Sequence, residues 1–524
     1  MIVALPPMVK DPAVPATKSS TSPLLPGARR PALAPSRPKL THALLDDLEA
    51  VLAFVPATGA ADCLAKLPFG ALLIERMNRR PRKAGDSFSV ALPTRSQAVV
   101  SIGLVADEAT PFALLDLAGS MVRRLRLDET HDLGVVATGL VAARERACVE
   151  AGIAAAWAGA FPLPRYKSGP APSQRFARIV PVTRQSIDSR RLAAVAEAGD
   201  LVRWLTALPP DRLDPAGFRR AAQALARRHG LQTRFYGEAE LRRLGAGAFL
   251  AVTRGSPRRN AGILHLRYRP RGARRGQPVA LVGKGLCFDT GGTNLKSHKS
   301  MLDMHTDMSG SAVALASIVA LSQMRYPRPV DAWLALAENR IGPEAYQPQD
   351  VVTAMNGTTI QVIHTDAEGR MVLADTLALA SRSKPAAVID FATLTGACVG
   401  ALTERYSGAF TSHPGWRAAI EGAGRDSGER VWVMPMDDDF DRELKSKVAD
   451  IVQCTVEGKG DHIYAARFLR KFVGEGIPWL HVDLSAATRS GGLAHVPTDV
   501  TGFGVRFLAS LLLDHPLPDG KPAP

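Results

Sequence analysis

Seven charged side chains in two short glycine-containing segments have the types and spacing to act together. The segment Val282 to Gly310 contains Lys284, Asp289, Lys296 and Asp307, and the segment His364 to Arg370, HTDAEGR, contains Asp366, Glu368 and Arg370. Four carboxylates so concentrated repel one another and would titrate upward if left alone. Hard divalent cations accept oxygen ligands and cancel that charge. The expectation is therefore a hydrolytic site built on two metal ions.

The chemistry assigns roles within that expectation. Two cations held roughly 3.5–4 Å apart share a water, lower its pKa and clamp both oxygens of a tetrahedral intermediate. A carboxylate with one oxygen on each ion bridges them. Lys284 could ligate only as a neutral amine, which burial beside divalent cations can achieve. Lys296 would stay charged and stabilise a developing oxyanion. With the nearby acids committed to metal, Arg370 is left free to hold a small anion through its fork. Taken singly, each segment also reads as a tight turn before a capped helix; together they favour the functional reading. His298, His305 and His364 form neither an HxxxH nor an HExxH pattern and are expected outside the ligand set.

These residues need elements to position them. Val279 to Val282 reads as a strand that delivers Lys284 and Asp289 into a loop, where Gly291 and Gly292 free the backbone. Asp307 precedes a small-residue helix expected over 309–324, and a negative charge is favoured at that end. An extended Asp366-Ala367-Glu368 would put both carboxylates on one side, with Arg370 opening a helix over 371–381. Further strands are expected at 231–236, 264–268, 332–336 and 387–391. Apolar strands alternating with helices indicate a mostly parallel sheet flanked by helices, whose ligands bind beyond the carboxyl ends of the strands.

The chain has 524 residues, 46% apolar and 22% charged, with a formal charge of +15. It is long enough for two domains, each with its own core. The fold class expected is α/β, with a smaller N-terminal α/β domain and a larger C-terminal catalytic domain. Residues 1–40 hold nine prolines, six Lys/Arg and one acid, and read as a disordered tail. Residues 41–185 form the N-terminal domain, 186–208 a helical linker and 209–524 the catalytic domain. Within the first domain His42 to Phe54 reads as a helix, 98–105 and 133–140 as strands, and 110–127 and 145–157 as helices. Lys167 to Gln174 reads as a loop. Asp214-Pro215 opens a helix after the linker.

No run of about 18 apolar residues predicts a membrane span. Five scattered cysteines, none in a CxxC pair, argue for a reducing compartment and against a thiolate zinc site. The arginine clusters read first as solvated surface; a nucleic-acid role is the alternative that the net charge motivates. A two-metal phosphoesterase is a weaker reading, because nothing in the sequence cradles a phosphate.

The sequence resembles the leucyl aminopeptidase (cytosol aminopeptidase) family of two-metal exopeptidases. VGKGLCFDTGG, NLK, the Asp307 to Gly310 segment, ENRIGPEAYQPQDVVTAMNG, HTDAEGR and DFATLTGA occur in the family's order and spacing. The resemblance runs from about Leu208 to near Leu513. It implies that Lys284, Asp289, Asp307 and Glu368 hold the tighter metal, and Asp289, Asp366 and Glu368 the more exchangeable one. It implies that Lys296 polarises the scissile carbonyl, and that Arg370 binds a bicarbonate serving as general base. Met304, Thr393 and Gly396 match positions lining the pocket for the first side chain. It further implies zinc or manganese, with magnesium or cobalt as alternatives, peptide substrates with N-terminal residues such as leucine, a cytoplasmic location and a homohexamer with sites facing an interior cavity. Three departures are visible: His364 where Asn is usual, Ser297 in place of a frequent Pro, and a polar Gly458-Lys459-Gly460-Asp461-His462 in place of a Gly-Gly-Ala-Ile type of segment.

Overall fold

The computed structural model describes residues 24–27, 30–169, 175–270, 272, 276–515 and 517. Most of the expected tail, and residues 170–174 of the expected Lys167–Gln174 loop, lie outside them. The end of the tail does not match its expectation. β1 (Ala32–Leu33) pairs in parallel with β6 (Arg178–Val182). Arg30 donates to the Ala193 carbonyl at 2.8 Å, and the Trp157 indole donates to the Pro31 carbonyl at 2.9 Å. Backbone groups and a cation held in this way tie residues 30–33 to the folded unit despite their proline-rich setting.

β1 and β6 belong to a six-stranded sheet with β2 (Ala50–Pro56), β3 (Ser87–Ala91), β4 (Val99–Val105) and β5 (Asp132–Ala137). Its order is β1-β6-β5-β2-β4-β3, parallel except for the β3–β4 pair. The helix expected over 42–54 is instead a short helix, His42–Asp46, followed by β2. Val51 to Val55 lie in the sheet interior, and an apolar run covered on both faces has no period that separates strand from helix. Leu52 and Phe54 pack under helices Pro111–Val122 and Ala142–Ala160, while Val51, Ala53 and Val55 face the opposite core.

In the larger sheet the strands are β7 (Gln232–Gly237), β8 (Gly262–Tyr268), β9 (Val279–Asp289) and β10 (Val330–Asn339), then β13 (Ala387–Ala392), β14 (Ser407–Thr411), β15 (Val431–Val433) and β17 (Trp479–Asp483). β11 (Val351–Thr353), β12 (Thr359–Gln361) and β16 (Ile451–Val452) form a separate small sheet. The large sheet runs β15-β14-β17-β13-β9-β10-β8-β7, and its four central strands, β17 to β10, are parallel. Helices Ser189–Thr206, Pro215–Arg228, Ser309–Gln323 and Val505–Leu513 cover one face; Gly247–Thr253, Glu368–Ser381 and Asp461–Arg470 cover the other.

Two expectations near the site shift. β9 runs on to Asp289, so Lys284 sits inside a strand and Asp289 ends it. Gly283 permits this, since a Cβ there would lie 2.5 Å from Gly310 O and from Ser311 Cα in the crossing helix. The second shift concerns Glu368, which is already the first residue of helix Glu368–Ser381 rather than part of an extended stretch.

Candidate metal centre

The site lies at the carboxyl ends of the four parallel strands. β9 ends in Asp289, β10 in Asn339, β13 leads directly into Thr393, and β17 ends in Asp483. The loop after β9 turns through Gly291 and Gly292, both at positive φ (84° and 66°), and brings back Lys296. A Cβ on Gly291 would sit 2.5 Å from the Asn294 carbonyl oxygen, so only glycine makes this turn. Asp307 precedes helix Ser309–Gln323, and Glu368 begins its own helix; both carboxylates thus occupy N-terminal ends that favour negative charge.

These segments bring the five expected ligands together. Lys284 Nζ lies 2.8 Å from Asp307 Oδ1 and 3.0 Å from Glu368 Oε1. Lys296 Nζ lies 2.9 Å from Asp289 Oδ2 and 2.5 Å from Asp366 Oδ1. Asp289, Asp366 and Glu368 each present an oxygen within 4.8 Å of the others. Lys284, Asp289, Asp307 and Glu368 are almost wholly buried. His298, His305 and His364 do not join this group.

Burial pushes the Glu368 carboxyl up to about 8, helped by Asp289 and Asp307 and opposed by the two lysines. Burial likewise raises Asp307 to about 6 and lifts Asp366 above the usual carboxylate range. For Lys284, burial pulls downward, but Asp307, Glu368 and Asp289 outweigh it and hold the ammonium well above its ordinary value. Lys296 is raised in the same way against burial, chiefly by Asp289 and Glu368. Asp307 Oδ2 and Glu368 Oε2 are buried without a hydrogen-bond partner among the described residues. Two lysines thus leave acceptor oxygens unsatisfied and acids above their ordinary range. Such a donor set fits hard divalent cations.

Of the pocket residues read from the resemblance, Thr393 touches this cluster. Thr393 accepts from Lys284 through its carbonyl at 2.9 Å and donates its hydroxyl to Asp307 Oδ1 at 2.7 Å. Met304 lies half-buried in the turn just before Asp307. Gly396 is exposed at the start of helix Gly396–Leu402, with open space where a Cβ would stand.

Arg370 differs from its expectation. Its side chain is buried, but it is not left free: Nη2 pairs with Asp461 Oδ2 at 2.6 Å, and Nη1 donates to the Gln453 carbonyl at 3.2 Å. The segment that departs from the family pattern supplies the partner.

Several positioning residues carried no signal of their own. Asn339 donates to Asp289 Oδ1 at 2.8 Å and to the Thr365 carbonyl at 3.1 Å, and the Tyr346 hydroxyl donates to that same carbonyl at 2.7 Å. Thr365 donates its hydroxyl to Gly291 O at 2.6 Å, stitching the two ligand segments together. Gln453 accepts from the His364 N–H at 3.1 Å and donates to Ala367 O at 3.0 Å, clamping the turn that carries Asp366. Asp483 accepts from the Thr395 hydroxyl at 2.6 Å and fixes the loop after Thr393. Asn339 and Tyr346 lie inside ENRIGPEAYQPQ, so their presence was visible but their task was not.

Fold and site together define a hydrolase built around divalent cations. Residues 200–509 match the family model described as the cytosol aminopeptidase family, catalytic domain, and the chain belongs to that family. It is an aminopeptidase of the leucyl type. A probable cytosol aminopeptidase of Streptomyces coelicolor is 35% identical over 523 residues, covering 92% of this chain and 93% of the relative. One from Synechococcus sp. (strain CC9311) is 37% identical over 437 residues, covering 82% and 87%. Among solved structures, a tomato leucine aminopeptidase mutant superposes with a TM-score of 0.82 at 26% identity, over 93% of this chain and 98% of that one. The bottromycin maturation enzyme BotP in complex with Mn gives 0.76 at 32%, over 88% and 98%.

Proposed function

We propose that the chain removes N-terminal residues, preferring apolar ones such as leucine, at two divalent cations per subunit. The observation that carries this reading is the convergence of Lys284, Asp289, Asp307, Asp366 and Glu368 on one buried cluster with unsatisfied oxygens. Lys284, Asp289, Asp307 and Glu368 would hold one ion, Lys284 only after the cation displaces the proton that its acid neighbours otherwise keep on it, and Asp289, Asp366 and Glu368 would hold the other, with zinc or manganese the expected occupants. The cations, when bound, supply Lewis acidity and a more acidic water.

The chain's own residues do the rest. Lys296 stays protonated in its ring of acids and would hold the carbonyl oxygen as negative charge develops on it. Thr393 orients Asp307 and Lys284, and Met304 and Gly396 would line the pocket for the first side chain of a peptide. Arg370, anchored on Gln453, keeps a positive charge beside the turn that carries Glu368. A homohexameric assembly and a cytoplasmic location belong to the same reading, and among the described residues no helix is long and apolar enough to cross a membrane.

Hydrolysis of leucine-p-nitroanilide with added Mn²⁺ or Zn²⁺, abolished by a chelator and restored by either ion, is the expected result. No turnover of any aminoacyl anilide with any divalent metal would defeat the reading.

A further inference from the structure

Arg370 is the one cation of the cluster that does not face the ligand acids directly. Its side chain is 2% exposed, and the carboxylate that meets it belongs to Asp461, whose side chain is 23% exposed. Asp461 opens helix Asp461–Arg470, where the helix end favours its negative charge. Gly458 and Gly460, both at positive φ (68° and 66°), bend the preceding chain so that this carboxylate reaches inward.

The pairing leaves complementary atoms over. Arg370 Nε and Asp461 Oδ1 are both buried without a hydrogen-bond partner among the described residues. A guanidinium fork takes one carboxylate through two parallel N–H bonds. Asp461 Oδ2 already takes one prong of that fork, through Nη2 at 2.6 Å, while Nε and Asp461 Oδ1 do not bond each other. A second anion at Arg370 would have to sit beside Asp461 in a site largely removed from water, where like charges repel strongly. The segment responsible, Gly458 to His462, is the stretch that departs from the family's pattern.

We infer that Asp461 is the resident anion of Arg370. The chain supplies from its own helix the carboxylate that this position would otherwise take from solution as bicarbonate. Asp461 is a positioning residue acting through Arg370, and turnover does not depend on added bicarbonate. The inference rests on the aminopeptidase reading for its kinetic arm only.

The test compares the zinc-loaded wild type with Asp461→Gly and Asp461→Asn in buffer stripped of carbon dioxide, with and without bicarbonate. Wild-type kcat should change less than about twofold on adding bicarbonate, whereas Asp461→Gly should lose about tenfold in kcat, with KM little changed, and recover on adding it. Separately, ¹³C-bicarbonate should show line broadening with Asp461→Gly and none with the wild type. Asp461→Asn keeps the side chain's size without its charge, so if a melting curve shows the glycine variant unfolded, a loss of kcat in this variant that bicarbonate does not restore supports the inference, and an unchanged kcat overturns it. Strong stimulation of the wild type by bicarbonate, ¹³C broadening with the wild type, or a folded Asp461→Gly protein that neither needs nor binds bicarbonate would each overturn the inference. If no variant hydrolyses any aminoacyl anilide, the aminopeptidase reading fails, and the ¹³C contrast still decides the role of Asp461.

Discussion

Glu368 has two jobs that its neighbours cannot share: it meets Lys284 on one side and the Asp289–Asp366 pair on the other. Glu368→Ala should therefore lower activity by on the order of a thousandfold and reduce bound metal per subunit, read by elemental analysis. Arg370→Ala should lower kcat less severely and leave metal content unchanged. The charged members of the cluster were legible because carboxylates and lysines packed into glycine-containing segments have few other uses. Asn339 and Gln453 were not, because a neutral amide announces nothing by type. Gln453 reaches Arg370 across 83 residues of sequence, and no local spacing encodes such a meeting. In the sequence Asp461 stands out only as a polar residue in an unusual segment; its pairing with Arg370 depends on how the helices pack.

At the scale of elements, the site depends on close approach. A Cβ on Gly369 would lie 2.5 Å from Lys284 Cε and 2.7 Å from its Nζ. Overpacking a buried site costs about 1–3 kcal/mol, more than alanine returns as a better helix former at a helix's second residue, so Gly369→Ala should lower the melting temperature. Because the methyl displaces Lys284, activity should fall at least about tenfold at temperatures where a melting curve shows the variant folded. Asp375, on the same helix, is fully buried and accepts from Phe249 N at 2.8 Å and Met355 N at 2.7 Å. Burial pushes its carboxyl up to about 7 from an ordinary 3.8, although these N–H groups favour the charged form. A folded pKa above the unfolded one gives stability that is present below 3.8 and lost as pH rises towards 7. The wild-type melting temperature, measured relative to Asp375→Asn, should fall across that window and level off above it.

The elements that sequence read well were those with a period or a punctuating residue. Helix Pro215–Arg228 announced itself through Asp214, whose carboxylate accepts from Gly217 N at 2.7 Å, and through the proline after it. β2 was read as helix, and β9 was read too short. Both are interior strands in which nearly every residue is covered, so neither carries the alternation that marks a strand with one wet face.

For the molecule as a whole, part of the arginine that reads as surface charge ties elements together. Arg203 is buried against Asp200 and donates to Ala158 O at 3.2 Å, joining helix Ser189–Thr206 to the N-terminal sheet unit. Arg191 holds Asp514 near the last described helix, and Arg467 grips Asp441 through two nitrogens. These ties favour a structural reading of the basic composition over a nucleic-acid one.

The sealed thiols turn this architecture into its own gauge. All five cysteines are free and buried, and burial raises Cys148 and Cys398 to about 12 and Cys287 well above its ordinary value. Alkylating reagents act on thiolates, so the native protein should resist them. Cys63 and Cys148 sit in the N-terminal unit, and Cys287, Cys398 and Cys454 in the catalytic one. Peptide mass mapping after graded urea should then date the opening of each half. Simultaneous labelling of all five would mean that the halves come apart as one, and staggered labelling would reveal which half yields first.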